Sequence, residues 1–274
     1  QIFPKGRVYL AHMERDSGLP APLSKRLAKD LRALHAKKGR LSAGQFLVET
    51  PKAVQSFLES GWEPVTVVGT PDWWATVPTQ PSWGPRAAAF VATLSGMAEA
   101  SALETPSSVL AVFTLPEEAL SSGEPLRGIH LVLDGVRDPG NLGTIVRLAD
   151  WFGAAGVWIS EDSADAFQPK VVQASMGSLA RVSVKRLSLE PLLRTWRNAG
   201  IPLWATDMEG RPLAQTQAPE TVAVVLGNEG RGLSPEVRAL CTSVVTIPRV
   251  SPGAESLNVA NAAGIVLYEL RRTV

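Results

Sequence analysis

The chain of 274 residues is 45% apolar and 19% charged with a formal net charge of +1, values of a folded globular protein and not of a disordered or fibrous one. Its single cysteine, Cys241, excludes an internal disulfide and a multi-cysteine zinc site, and fits a reducing cytoplasm. No apolar run reaches the roughly 18–20 residues that span a bilayer, and the leading QIFPKGRVYLAHMERD lacks the apolar core of a signal peptide. The small net charge hides an asymmetry: residues 1–40 hold ten Lys or Arg against three Asp or Glu, a local +7 that the remaining chain balances. Such a basic leading segment is either a solvated helix face or an arm for a polyanion.

Residues 1–22 contain Pro4, Gly6, Gly18, Pro20 and Pro22 and read as irregular. PLSKRLAKDLRALHAKKGR follows, with Leu23, Leu27, Leu31 and Leu34 at helical spacing, Ser24 as the N-cap and basic residues on the other faces. GQFLVET predicts a strand over 46–48. PKAVQSFLESG predicts a helix with Pro51 in its first turn and Gly61 beyond its end, and PVTVVGT another strand. TPDWWATVPTQPSWGPR, with four prolines and three tryptophans, reads as a loop. Its Trp73, Trp74 and Trp83 either stack on bases or, the reading adopted here, pin the loop to its own domain. AAAFVATLSGMAEA predicts a helix over 87–100 and SVLAVFTL a strand closing the domain near residue 115. The organisation expected is a basic segment and helix over 1–44, a small α/β domain over 45–115, a polar linker over 116–128 and a second domain over 129–274.

The second domain opens with IHLVLDGV, an apolar run of the kind buried on both faces of a sheet. Helices and strands then alternate: NLGTIVRLADWFG, AGVWIS, PKVVQASMGSLA, RVSVKRL, LEPLLRTWRNAG, IPLWATD, TVAVVLG, SPEVRALCT, SVVTIP and SLNVANAAGIVLYELRR. Alternation of this kind predicts a mostly parallel sheet with helices on both faces and a ligand at the strands' carboxyl ends.

Three stretches at such ends could carry chemistry. In LGNEGRGLS, Gly227, Gly230 and Gly232 permit close backbone approach to a ligand, while Glu229 disfavours a phosphate and suits a neutral or cationic one. The glycine order is not the G-x-G-x-x-G of a dinucleotide oxidoreductase. In DPGNLGTIVRLADWFGA, Arg147 sits about one turn into a helix, where it either pairs with Asp138 or Asp150 or points into a cleft. In IPRVSPGAESLNVANAAGIVLYE, Ser256 and Asn258 are helix caps or site residues. The flat face of Ala260, Ala262, Ala263 and Gly264 invites a second helix, from this chain or another copy. The scattered His12, His35 and His130 argue against a metal, and no nucleophile elbow or Walker A lysine is present.

In this order and spacing the three stretches, with QASMGSLARV between the first two, resemble the SpoU (TrmH-like) ribose 2′-O-methyltransferases of the SPOUT class over about residues 129–272. The first domain resembles the small α/β substrate-binding domain often fused in front, with Thr50 where Gly is usual. The resemblance implies an α/β fold with a mostly parallel sheet and a deep trefoil knot, S-adenosylmethionine as cofactor, and a homodimer acting on RNA. It implies that Gly227, Ile247 and Leu257 hold the cofactor through backbone groups, with Leu226 and Pro248 beside them and Thr206 near the adenosine. Arg147 would stabilise the developing alkoxide, oriented with the ribose by Asn141, Glu229, Ser256 and Asn258. Two departures lie near the cofactor: Arg249 stands where Met is common, and the loop from Ile247 to Leu257 is one residue longer than usual. Lys25, Arg26, Lys29, Arg32, Lys37, Lys38 and Arg40 are expected to contact structured RNA, ribosomal RNA being favoured over transfer RNA. The alternatives are a tRNA ribose methyltransferase and a non-catalytic RNA-binding protein of the same fold.

Overall fold

The computed structural model describes residues 20–77, 87–116, 127–217, 219–251, 253 and 255–272. Expectations for the leading residues 1–19, for Trp83, for most of the 116–128 linker and for Pro252 lie outside these. The chain divides into two compact units: residues up to 117 together with Phe167–Ala180, and Glu118–Ala166 together with Arg181–Val274. Residues 167–180, which the sequence reading places in the second domain, thus pack with the first.

In the first unit, β1 (Ala21–Pro22) precedes α1 (Lys25–Ala33), which Ser24 caps by accepting from the Leu27 amide at 3.2 Å. Ala28, Leu31 and Leu34 are buried on one side of α1, whereas Lys25, Arg26, Lys29 and Arg32 are exposed. The single helix expected over 23–40 is two, because Ala36 is extended and starts α2 (Lys37–Ala43). Arg40 is a correction: it is 2% exposed and donates Nη1 to the Leu34 and His35 carbonyls at 2.9 and 2.8 Å. It satisfies the open end of α1 and is not an RNA-facing cation.

The unit continues with β2 (Gln45–Glu49), α3 (Pro51–Glu59), β3 (Pro64–Gly69), α4 (Pro71–Trp74), β4 (Ala88–Val91), α5 (Leu94–Ala100) and β5 (Val109–Thr114). The strands form one sheet in the order β1-β4-β3-β5-β2. Two expectations change here. The helix over 87–100 is a strand followed by a helix, because Phe90 and Val91 pair beside β3 and the Thr93 hydroxyl caps α5 by accepting from Gly96 N at 3.2 Å. The Trp73–Trp74 segment is a short helix in which Trp74 Nε1 donates to the Phe90 carbonyl at 2.9 Å, so this tryptophan pins its segment to the sheet. Phe46, Phe57, Trp62 and Phe113 cluster at ring distances of 5.1–6.2 Å, joined by Phe167 at 4.7 Å from Phe46.

The second unit begins with β6 (Gly128–Asp134), α6 (Pro139–Trp151) and β7 (Gly156–Ile159); α7 (Pro169–Ala174) belongs to the first unit. Then come β8 (Val184–Arg186), α8 (Leu189–Asn198), β9 (Leu203–Pro212), β10 (Thr221–Gly227), α9 (Pro235–Leu240), β11 (Ser243–Thr246) and α10 (Val259–Arg272). Six parallel strands lie in the order β11-β9-β10-β6-β7-β8. Val222–Leu226 of central β10 are all buried, which is why its sequence is a continuous apolar run. Leu193, Trp196, Val237 and Leu240 of α8 and α9 pack with Val132, Ala223 and Val225 of the sheet. The small-residue face of α10 is met within the chain, since the Gly264 position lies against Leu148 of α6.

Thr50 has φ +82° and ψ 141°, a region essentially reserved for glycine, while its hydroxyl caps α3 by accepting from Ala53 N at 3.3 Å. The strain of about 1–3 kcal/mol exceeds the few tenths that separate a hydroxyl cap from glycine and is at least comparable to glycine's added entropy cost of about 0.5–1 kcal/mol. Thr50→Gly is therefore expected to raise Tm by a few degrees in a thermal melt; a fall would show that the backbone is not strained there.

Candidate active site

The site is built where β6, β9, β10 and β11 end. After β10 the chain turns back on itself: Asn228 N donates to the Gly232 carbonyl at 3.0 Å and Gly232 N to the Asn228 carbonyl at 2.8 Å. The bend leaves no room for a side chain at Gly227, where a Cβ would stand 2.4 Å from the Gly232 carbonyl carbon and 2.6 Å from Leu233 N. The Asn228 side chain fixes the bend, accepting from the Gly230 and Arg231 amides at 3.0 and 3.2 Å and donating to the Gly135 carbonyl at 3.0 Å. Sequence reading gave Asn228 no role, though an Asn inside a glycine-rich bend is the residue that bonds its own backbone in this way.

Helix α6 begins at Asp138, whose carboxylate accepts from Asn141 N at 2.8 Å, with Pro139 in the first turn. Leu142, Ile145, Val146 and Ala149 bury its inner face, which leaves Thr144, Arg147 and Trp151 on the exposed stripe. Asn141, at the foot of this helix, donates Nδ2 to Glu229 Oε1 at 2.5 Å and accepts from Asn258 Nδ2 at 2.9 Å. Asn258 also caps α10, its Oδ1 accepting from the Ala260 and Asn261 amides at 3.0 and 3.3 Å. Asn258 is thus a helix cap whose side chain also reaches Asn141. One hydrogen-bonded chain, Glu229–Asn141–Asn258, joins residues separated by 88 and 117 positions in sequence.

Beside it a pocket of about 500 Å³ is lined by Thr206, Leu226, Gly227, Glu229, Ile247, Pro248, Arg249, Ser256 and Leu257. All six residues expected to touch a cofactor are in this wall. Asp207, Met208, Leu213, Val245 and Val266 also line it and were missed. Val266 comes from α10, and the others follow from β9 running on to Pro212 beside β11, an extension whose exposed Asp207–Arg211 stretch carries no strand alternation. Asp207 pairs with Arg238 of α9.

Arg147 is exposed, has no hydrogen-bond or ion-pair partner among the described residues, and is not in the wall of this pocket. The ion-pair reading fails because both candidate carboxylates are engaged: Asp138 caps α6, and Asp150 takes Arg181 at 2.6 Å. Lys37 and Lys38 are exposed, as are the four basic residues of α1. His130 is fully buried, its Nδ1 accepting from Trp158 Nε1 at 3.3 Å, so it serves the core. Among the described residues no group of three His, Cys, Asp or Glu is placed to hold a metal ion, and no helix is long and apolar enough to cross a membrane.

A parallel sheet with a nucleoside-sized pocket at its carboxyl edge, walled partly by backbone, defines an enzyme-like cofactor-binding domain. The chain belongs to the SpoU rRNA Methylase family, which it matches over residues 128–268, and residues 25–111 match the MRM3-like substrate binding domain. It is 30% identical over 244 residues to a 23S rRNA guanosine 2′-O-methyltransferase of Bacillus subtilis, covering 89% of this chain and 95% of that one. Among solved structures, a putative RNA methyltransferase of the TrmH family from Porphyromonas gingivalis superposes with a TM-score of 0.84 at 42% identity, covering 93% of this chain and all of that one. An AdoMet-bound rRNA methyltransferase from Sinorhizobium meliloti gives 0.81 at 31% identity, covering 92% and 96%.

Cys241 is no nucleophile. Burial raises its thiol to about 11 against the opposing pull of Arg238, so the thiolate is scarce near neutrality. Iodoacetamide at pH 8 is expected to label the native protein far more slowly than the urea-unfolded chain; equal rates would contradict that burial.

Proposed function

We infer that this chain is an S-adenosylmethionine-dependent RNA methyltransferase that methylates a ribose 2′-hydroxyl, with ribosomal RNA as its substrate. The observation that carries the reading is the Glu229–Asn141–Asn258 chain beside the pocket, in a member of an rRNA methylase family. The relative from Bacillus subtilis is named for an rRNA target, which favours rRNA over tRNA.

The pocket fits the cofactor in size and chemistry. Its volume lies within the roughly 300–1,000 Å³ of small-molecule sites. Leu226, Leu257, Val259 and Val266 supply apolar wall, and the carboxylates Asp207 and Glu229 suit a cationic ligand. When bound, S-adenosylmethionine supplies a methyl group already activated by its sulfonium. The protein's task is then to hold the pocket backbone at Gly227, Ile247 and Leu257 against it, with Leu226, Pro248 and Thr206 alongside, and to orient the ribose. Asn141, Glu229, Ser256 and Asn258 do the orienting. Arg147 is not assigned the role of a base, because a guanidinium is a donor with no acceptor site. It stabilises the negative charge that develops on the 2′-oxygen, in the manner of an oxyanion donor.

Arg147 serves the pocket of a second copy. Its absence from the wall of its own pocket supports this, as does the apolar surface beside it: Trp151, Ile265 and Tyr268 are 83%, 42% and 59% exposed on α6 and α10. The reading includes a homodimer, a cytoplasmic setting, and a trefoil knot in which the stretch before α10 is threaded; the bond from Asn258 back to Asn141 is compatible with it. Lys25, Arg26, Lys29, Arg32, Lys37 and Lys38 draw the RNA.

With tritiated cofactor and unmodified ribosomal RNA, Arg147→Ala is expected to lose at least about a hundredfold in methyl transfer while binding the cofactor as before. Arg147→Lys is expected to fail similarly, because it loses the planar fork. Substantial turnover by either variant would remove Arg147 from its role.

A further inference from the structure

Three loops, following β6, β7 and β10, converge over Gly135. This residue has φ +70°, donates its amide to Ser160 Oγ at 2.8 Å and accepts from Asn228 Nδ2 at 3.0 Å. Ser160 Oγ in turn donates to Asp162 Oδ1 at 2.7 Å. The other carboxylate oxygen, Oδ2, receives Arg137 Nη2 at 2.8 Å and faces Arg231 Nη2 at 3.6 Å. The Ser160 hydroxyl and the Arg137 guanidinium hold the Asp162 carboxyl below the usual carboxylate range. The group is therefore ionised, and the trio carries a net +1.

Stability does not account for this cluster. The side chains of Arg137 and Arg231 are 57% and 65% exposed, and ion pairs at such exposure contribute about 0–1 kcal/mol. Each guanidinium offers one terminal nitrogen to Asp162, which among the described residues leaves the rest of its fork of five N–H donors open. Position is the second clue. Arg137 directly precedes Asp138, the cap of the helix that presents Asn141, and Arg231 lies two residues beyond Glu229. The two cations thus stand within four residues of Asn141 and two of Glu229, respectively, along the chain. Guanidinium forks are suited to the oxygens of a phosphodiester, and one carboxylate shared between two of them fixes their spacing.

We propose that Arg137 and Arg231 form a phosphate-binding pair for the RNA backbone beside the reactive ribose, with Asp162 as the positioning residue that holds the two guanidinia in register. This rests on the RNA methyltransferase reading and extends it to two residues outside the cofactor pocket.

The test uses the full chain and unmodified ribosomal RNA. Affinity is measured by filter binding across a salt series, which does not depend on turnover, and methyl transfer is measured alongside. Replacing both arginines by Ala is expected to weaken RNA binding about ten- to a hundredfold, as for loss of one or two charge-assisted contacts. The slope of log affinity against log salt should fall by about 1, and KM for RNA should rise far more than kcat falls. The double Lys variant keeps the salt slope and recovers part of the affinity, which separates lost charge from misfolding. Asp162→Asn keeps both cations and the slope but lowers kcat/KM, the mark of lost positioning. RNA affinity and salt slope unchanged in the folded double Ala variant would overturn the proposal, as would a loss confined to cofactor affinity, which would assign the pair to the cofactor's carboxylate. A wild-type protein that binds RNA through this pair yet transfers no methyl would instead sink the functional reading and leave the pair standing.

Discussion

The site rests on one steric constraint, the missing side chain at Gly227. The backbone of Gly232 and Leu233 occupies the space a Cβ would need, so the chain can return on itself directly after β10. That return has two consequences. The end of a buried strand becomes pocket wall made of backbone, and Glu229 is carried over to Asn141 in the first turn of α6. The rigidity comes from beneath: Val222–Leu226 are buried in the middle of a six-stranded sheet, the valines and the leucine each worth about 1.5–3 kcal/mol of burial, so the bend has a fixed base.

The polar chain Glu229–Asn141–Asn258 then ties three segments that the sheet merely brings near. Two of its members, Asn141 and Asn258, also take part in the bonds that start helices. Asn258 caps α10, and the Asn141 backbone amide donates to Asp138, the cap of α6. Such double use means the site geometry is set by the same hydrogen bonds that start the helices, which suits a reaction whose acceleration comes largely from positioning. Arg147 stands apart from this economy. It is exposed on α6 without a hydrogen-bond or ion-pair partner among the described residues, which is what supports the proposal that it serves a second copy.

Much of this was legible in the sequence because its signals are local or repetitive. The strand–helix alternation after residue 128, the continuous apolar run of β10, the Ser24 cap and the Gly-rich bend all announce themselves within a dozen residues. What was hidden depends on partners far along the chain. The pairing of Phe90–Val91 beside β3 overrides the helical preference of an alanine-rich stretch. Arg40 reads as one more surface cation until the end of α1 is seen to need its donors. The continuation of β9 to Pro212, and with it Asp207 in the pocket, depends on β11 lying alongside. The convergence of Arg137, Asp162 and Arg231 needs the order of β6, β7 and β10 in the sheet, which no periodicity reveals.

The most direct measurement is the dissociation constant of S-adenosylmethionine for the wild type and for Gly227→Ala, determined by calorimetry on protein whose melt confirms a folded sheet. A bend that cannot close should cost the variant most of its cofactor affinity while the wild type binds. Equal affinity in the two proteins, or no binding by the wild type, would contradict the assignment of this bend and its pocket to the cofactor.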